Sequence, residues 1–140
     1  MAGEGQEGAV ITFERRALQA SVTLAALVPV TAGCAGLIVG APHDSAAFDS
    51  HYRYMSGLLL GLGLLFWTLI PKIETRGPMF RALTFVVFVG GLARLFAYAQ
   101  RGDPGVMRFA LVMELVVTPA LCLWQARVAR AAARAAPDGA

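Results

Sequence analysis

Two opposite charges, Arg94 and Glu114, each interrupt an otherwise apolar segment at nearly the same distance from the loop joining those segments. Arg94 stands nine residues before Asp103 and Glu114 eleven after it. At about 1.5 Å per helical residue, both sit roughly 13 to 17 Å down a helical hairpin, where they can meet. A carboxylate and a guanidinium in an apolar layer can do one of three things: lock the hairpin as an ion pair, exchange a proton, or bind a polar headgroup or ring. A lone charge at mid-membrane costs at least about 2.5 to 3.5 kcal/mol by insertion scales, and pairing removes much of that cost.

Other polar residues are spaced to join the pair. Glu114, Thr118, Cys122 and Gln125 follow the i, i+4, i+8, i+11 pattern of one helical face, and Tyr98 lies one turn from Arg94. His51, Tyr52, Arg53 and Tyr54 stand at the outer end of an earlier apolar segment. The expected site is an outward-facing polar half-cavity formed by Arg94, Glu114, Arg53, Tyr54, Tyr98 and Thr118. In one reading it is structural, with Arg53 snorkelling to the surface. In a second it binds a ligand or relays a proton through Glu114. In a third, a partner subunit completes its charge balance.

Metal and motif chemistry is sparse. His43, Asp44, Asp49 and His51 gather around one loop, but their spacing matches no ligand pattern, and no histidine lies deep enough for bis-histidine haem. No metal site is expected. Cys34 and Cys122 are expected at different depths, too far apart for a disulfide, and no Cys-x-x-Cys occurs. Thr31-Ala32-Gly33-Cys34 resembles a lipoprotein cleavage box, except that Thr stands where an aliphatic belongs and the next residues stay apolar. Phosphate loops, nucleophile elbows and zinc-hydrolase helices are missing from the sequence.

The elements that must position these groups are read from hydropathy. With 57% hydrophobic residues over 140 positions and a mean hydropathy of +0.62, the chain is more apolar than a soluble domain of its size. About 20 apolar residues span a bilayer, so four spans fill the chain. The expectation is an all-α integral membrane four-helix bundle, with antiparallel up-down topology and helices at about 16–40, 51–70, 78–100 and 104–132. A disordered tail at 1–13 precedes them and a C-terminal tail at 133–140 follows. Asp49 or Ser50 is expected to cap the second helix, Gly77-Pro78 to open the third, and Asp103-Pro104 to open the fourth. Pro29 and Pro119 fall inside helices and should kink them.

Basic residues set the orientation. Arg15, Arg16, Lys72, Arg76, Arg81, Arg127, Arg130 and Arg134 fall on the side of the termini, against Arg53, Arg94, Arg101 and Arg108 on the other. The positive-inside rule then places both termini in the cytoplasm. Arg127, Arg130 and Arg134 share one helical face suited to anionic lipid headgroups, which accounts for the basic pI of about 9.3 without nucleic-acid binding. Small residues recur at helical spacing: Gly33, Gly36 and Gly40 on the first helix, Gly57 and Gly61 on the second, Gly90 and Gly91 on the third. Such stripes let helix backbones approach within a membrane, and a homodimer seam is the alternative use.

Four ordered segments carry a family resemblance: Asp49-Ser50-His51-Tyr52-Arg53-Tyr54-Met55-Ser56-Gly57, Phe80-Arg81-Ala82-Leu83, Gly90-Gly91-Leu92-Ala93-Arg94, and Glu114-Leu115-Val116-Val117-Thr118-Pro119. A fifth ends the match, Trp124-Gln125-Ala126-Arg127-Val128-Ala129. In this order they resemble a bacterial family of small four-helix membrane proteins, the domain-of-unknown-function family numbered 4345, over about residues 17 to 130. The resemblance implies a four-span architecture in a bacterial inner membrane and marks Arg53, Gly57, Gly91, Arg94, Glu114 and Pro119. It implies no activity. By fold alone the chain is also similar to four-helix membrane subunits of the DoxX type, associated with quinone-linked redox complexes, and fold does not settle function.

The functional expectation is a non-catalytic accessory or assembly subunit of a membrane complex, or a binder of a lipid-like molecule, with no cofactor. The partners are then the bilayer and a membrane protein or a second copy. One alternative is a quinone-linked redox or isomerase-type membrane enzyme using Glu114 and Arg94, and another is an oligomeric pore or transporter.

Overall fold

The computed structural model describes residues 2–41, 45–102 and 105–135, with side chains from Gly8 onward. Every regular element among them is helical. They are α1 (Ala2–Val39), α2 (Ala46–Leu69) with a 3₁₀ turn at Ile70–Lys72, α3 (Gly77–Arg101), α4 (Val106–Val112), a π-helical turn (Met113–Val117) and α5 (Thr118–Ala135). Since α4, the π turn and α5 run on without interruption, they make one long helix. Four helices are thus long and apolar enough to cross a membrane: Gly8–Val39, Ala46–Lys72, Gly77–Arg101 and Val106–Ala135. They expose large apolar side chains along their length, including Leu24, Phe85, Phe96 and Leu123. Apolar surface on this scale needs an apolar surrounding.

The helix starts follow local chemistry. Ser45, rather than Asp49 or Ser50, caps α2, its Oγ accepting from the Phe48 N–H at 3.4 Å. Pro78 falls in the first turn of α3, where its missing N–H costs nothing. Gly40 and Gly102 adopt φ of +72° and +75° and end α1 and α3 in the left-handed region. Helix α1 begins at Ala2 and so takes in the stretch expected as a disordered tail. No proline stands before Pro29 to stop it, and Glu14 is tied to Arg127 at 3.0 Å. The proposed cap Asp103-Pro104, the loop residues His43 and Asp44, and residues 136–140 lie outside the described residues.

The chain divides into two compact units, Val22–Ile70 and the combination of Met1–Ser21 with Pro71–Ala140. Within Val22–Ile70, α1 and α2 approach closely through bare backbone. A Cβ on Gly33 would lie 2.6 Å from the Leu60 backbone nitrogen, and one on Gly63 would lie 2.6 Å from Val30 Cγ2. Gly36 faces Ser56 just as tightly. The Trp67 indole N–H donates to the Thr23 carbonyl at 3.2 Å, joining the same two helices.

In the other unit, α3 packs along the whole continuous helix formed by α4, the π turn and α5. Leu18, Ile73, Phe80, Leu83 and Val128 are its buried apolar side chains. Gln125 is buried completely among the unit's residues, its Nε2 donating to the Ile73 carbonyl at 2.7 Å.

Candidate functional site

The π turn has a physical cause in Thr118-Pro119. Proline at 119 has no N–H for the carbonyl of Leu115, and its ring clashes with that carbonyl in a regular α-helix. Widening the turn relieves the clash, and the Met113 carbonyl instead accepts from the Thr118 N–H and, at 2.8 Å, from the Thr118 Oγ1. The kink expected at Pro119 is thus a π turn, and Glu114 lies inside it. Regular α spacing from Glu114 through Thr118 to Gln125 therefore does not hold across this turn.

Arg94 on α3 meets Glu114 side-on. Its Nε donates to Oε2 and its Nη2 to Oε1, both at 3.0 Å. This two-bond fork is the strongest geometry available to the two groups, and it occupies both carboxylate oxygens. Glu114 side-chain exposure is 17% and that of Arg94 is 38%, so the acid is the more enclosed partner. Gly91, one turn before Arg94, makes the approach possible: a Cβ there would stand 2.9 Å from Glu114 Cβ and 2.7 Å from Leu115 Cδ2. Tyr98 is half-buried one turn further along α3, and its hydroxyl has no hydrogen-bond partner among the described residues. Thr118 is half-buried and committed to the backbone of the π turn.

Arg53 belongs to the other unit and is engaged there. Its Nε donates to Asp49 Oδ2 at 2.8 Å and its Nη1 donates to the Leu37 carbonyl, while Asp49 Oδ1 accepts from the Ala41 N–H at 2.8 Å. Together Asp49 and Arg53 satisfy backbone groups left over at the C-terminal end of α1. Tyr54 is exposed. The small residues divide sharply. Gly33, Gly36 and Gly91 are close-contact positions, and Gly40 is a helix end pressed against Arg53 and Asp49. Gly57 has one ordinary contact, to Leu37, while Gly61 and Gly90 face open space. Gly63, outside every stripe read from the sequence, is as tight as Gly33.

At the far end of the Arg94 unit, two further ion pairs form: Arg15 with Glu74 at 3.1 Å and Arg127 with Glu14 at 3.0 Å. Arg127 thus has an intramolecular partner, whereas Arg130 bonds its own helix at the Ala126 carbonyl and Arg134 is exposed. Among the described residues no group of three or more His, Cys, Asp or Glu side chains could hold a metal ion. Cys34 and Cys122 are free thiols.

Fold and site together define an all-α protein of four membrane-length apolar helices, one helix pair of which is joined by a forked arginine–glutamate bridge over a glycine. The model for the family described as Domain of unknown function (DUF4345) matches residues 17–125, and the chain belongs to that family. No curated protein and no solved structure is matched.

Proposed function

We propose that this is a multi-pass protein of the bacterial cytoplasmic membrane, an antiparallel four-helix bundle with both termini in the cytoplasm. In this reading it works as an accessory or assembly subunit of a membrane complex, or as a binder of a lipid-like molecule, and carries out no reaction of its own. The observation that carries the reading is the closed Arg94–Glu114 fork. A catalytic carboxylate has to release or accept a proton at a reacting atom, and here both oxygens are occupied by one guanidinium. Such an arrangement suits a lock between helices, with each charge neutralising the other in the hydrocarbon layer.

The antiparallel arrangement is supported by the order of contacts inside each unit. Val30 meets Gly63, Gly33 meets Leu60 and Gly36 meets Ser56; likewise Gly77 lies by Gln125 and Gly91 by Leu115. Eight basic residues on the side of the termini against four on the other support the orientation.

Native mass spectrometry of the tagged protein, extracted from its own membranes in mild detergent, tests this reading. A stoichiometric partner or a retained lipid mass is the expected result. Turnover of an added substrate that disappears on Glu114→Gln, with the folded yield unchanged, would overturn it.

A second reading, the quinone-linked redox or isomerase-type enzyme, draws support from the π turn around Glu114. Such turns recur at functional sites, and the unpartnered Tyr98 hydroxyl lies one turn from Arg94. A bound quinone mass displaced by Arg94→Gln would favour it.

A further inference from the structure

We propose that the open groove between the start of α3 and the last turns of α5 binds a glycerophospholipid headgroup. Arg81 and Arg130 hold its phosphate, and the Gln125 carbonyl oxygen takes a hydroxyl or ammonium proton from the same headgroup. This inference rests on the membrane placement proposed above, and it assigns a ligand class to a site distant from the Arg94–Glu114 fork.

The groove has a volume of about 430 Å³, within the range of small-molecule sites. Gln125, which is 0% exposed, is one of the residues that line it. Nε2 is used on the Ile73 carbonyl, but Oε1 is buried with no hydrogen-bond partner. A buried acceptor left without a donor is destabilising, and a ligand donor would offset that cost. Gly77 sets no side chain against the amide. A Cβ at that position would stand 3.4 Å from Gln125 Nε2, 3.5 Å from Oε1 and 3.3 Å from Arg81 Nη1, so the amide and the guanidinium face the same bare patch of backbone.

The walls are positive and short. Arg81 has no hydrogen-bond or ion-pair partner among the described residues, and Arg130 spends only its Nε on its own helix. The paired acids of this unit, Glu14, Glu74 and Glu114, are taken by Arg127, Arg15 and Arg94 and do not neutralise the groove. No side chain caps the first turn of α3, which adds the positive end of a 25-residue helix. On α5, Ala126, Ala129 and Ala133 line the groove with methyl groups and keep it open.

A phosphodiester alone would satisfy the two guanidinium groups and leave the glutamine oxygen facing another acceptor. The ligand must therefore carry an anion and a donor together. Phosphatidylglycerol and phosphatidylethanolamine do, whereas phosphatidylcholine, with a quaternary nitrogen, has no donor. A lipid is favoured over a soluble phosphate because the groove lies where the candidate spans Gly77–Arg101 and Val106–Ala135 meet their polar ends.

The test is a titration of the full chain in non-ionic detergent with phosphatidylglycerol, phosphatidylcholine or glycerol phosphate, with bound mass read by native mass spectrometry. One equivalent of phosphatidylglycerol should bind about tenfold more tightly than phosphatidylcholine, and glycerol phosphate should not displace it. The double variant Arg81→Gln with Arg130→Gln should bring phosphatidylglycerol down to the phosphatidylcholine level. Its lipid-free melting midpoint should not move, since both side chains are exposed. Equal binding of the two lipids, unchanged binding by the double variant, or displacement by glycerol phosphate would each overturn the proposal. Membrane fractionation separates the two failures. Protein that sediments with membranes but fails the titration refutes the groove alone, and protein recovered without membranes refutes the placement on which it rests.

Discussion

Gly91 lies directly against Glu114, with 2.9 Å between the Cβ that another residue would carry and the Cβ of the glutamate. That contact sets how near α3 can come to the π turn, and so whether the Arg94 fork can close with two bonds. Gly91→Val should force the helices apart and cost about 1 to 3 kcal/mol, as overpacking of a tight contact does. Gly90→Val, one residue away and facing open space, should be close to neutral. Melting midpoints of the two variants in detergent provide the comparison, and equal loss in both would contradict the packing described for α3.

The fork itself is tested by exchange. In the proposed membrane placement, Arg94→Gln or Glu114→Gln alone strands one charge in the apolar layer, at a cost of about 2.5 to 3.5 kcal/mol. Folded yield should fall in both single variants. The exchanged pair, Arg94→Glu with Glu114→Arg, restores a neutral couple and should recover much of that yield. An exchange as damaging as either single change would mean that the direction of the pair matters, as it would if Glu114 faced a ligand.

At the end of α1, Gly40 combines a positive φ with contact to Arg53 and Asp49. Gly40→Ala should cost at least about 1 to 2 kcal/mol from the left-handed backbone alone. Asp49→Ala should weaken the same place by removing the acceptor for the Ala41 N–H and the partner of Arg53. Hydrogen exchange at Ala41 should rise in both variants. Unchanged exchange in Asp49→Ala would show that the clasp carries no stability.

Within Val22–Ile70 the tight glycines make a second paired comparison. Gly63→Leu meets Val30 at once, whereas Gly61→Leu projects into open space. The first should lower the melting midpoint and the second leave it nearly unchanged. A lower midpoint for Gly61→Leu, together with loss of a dimer on size-exclusion chromatography, would instead place a second copy of the chain on that face.

The sequence locates the helices through hydropathy, because an apolar run of membrane length has few other uses. It also pairs Arg94 with Glu114, since nearly equal distances from one loop bring two residues to about one level of a hairpin. It did not separate close-contact glycines from exposed ones. Gly61 and Gly63 differ only in the face on which they lie, and a helix that is apolar all round carries no signal of which face is covered. The π turn was within reach, because Pro119 inside a long apolar segment already requires some adjustment of the helix. The form of that adjustment depends on the Thr118 hydroxyl and on the neighbouring helix.

What the sequence determined by itself is therefore the number and approximate place of the apolar helices, their family and the meeting of one charge pair. These depend on composition and on distance along the chain. Only the tertiary structure decided that the pair closes as a fork over Gly91, that Arg53 is spent on the end of α1, and that Gln125 is buried with one acceptor unused. Those outcomes turn on helix rotation and side-chain packing at the scale of a single ångström. Hydropathy is nearly blind to that scale, because within the apolar spans most faces carry the same kind of side chain.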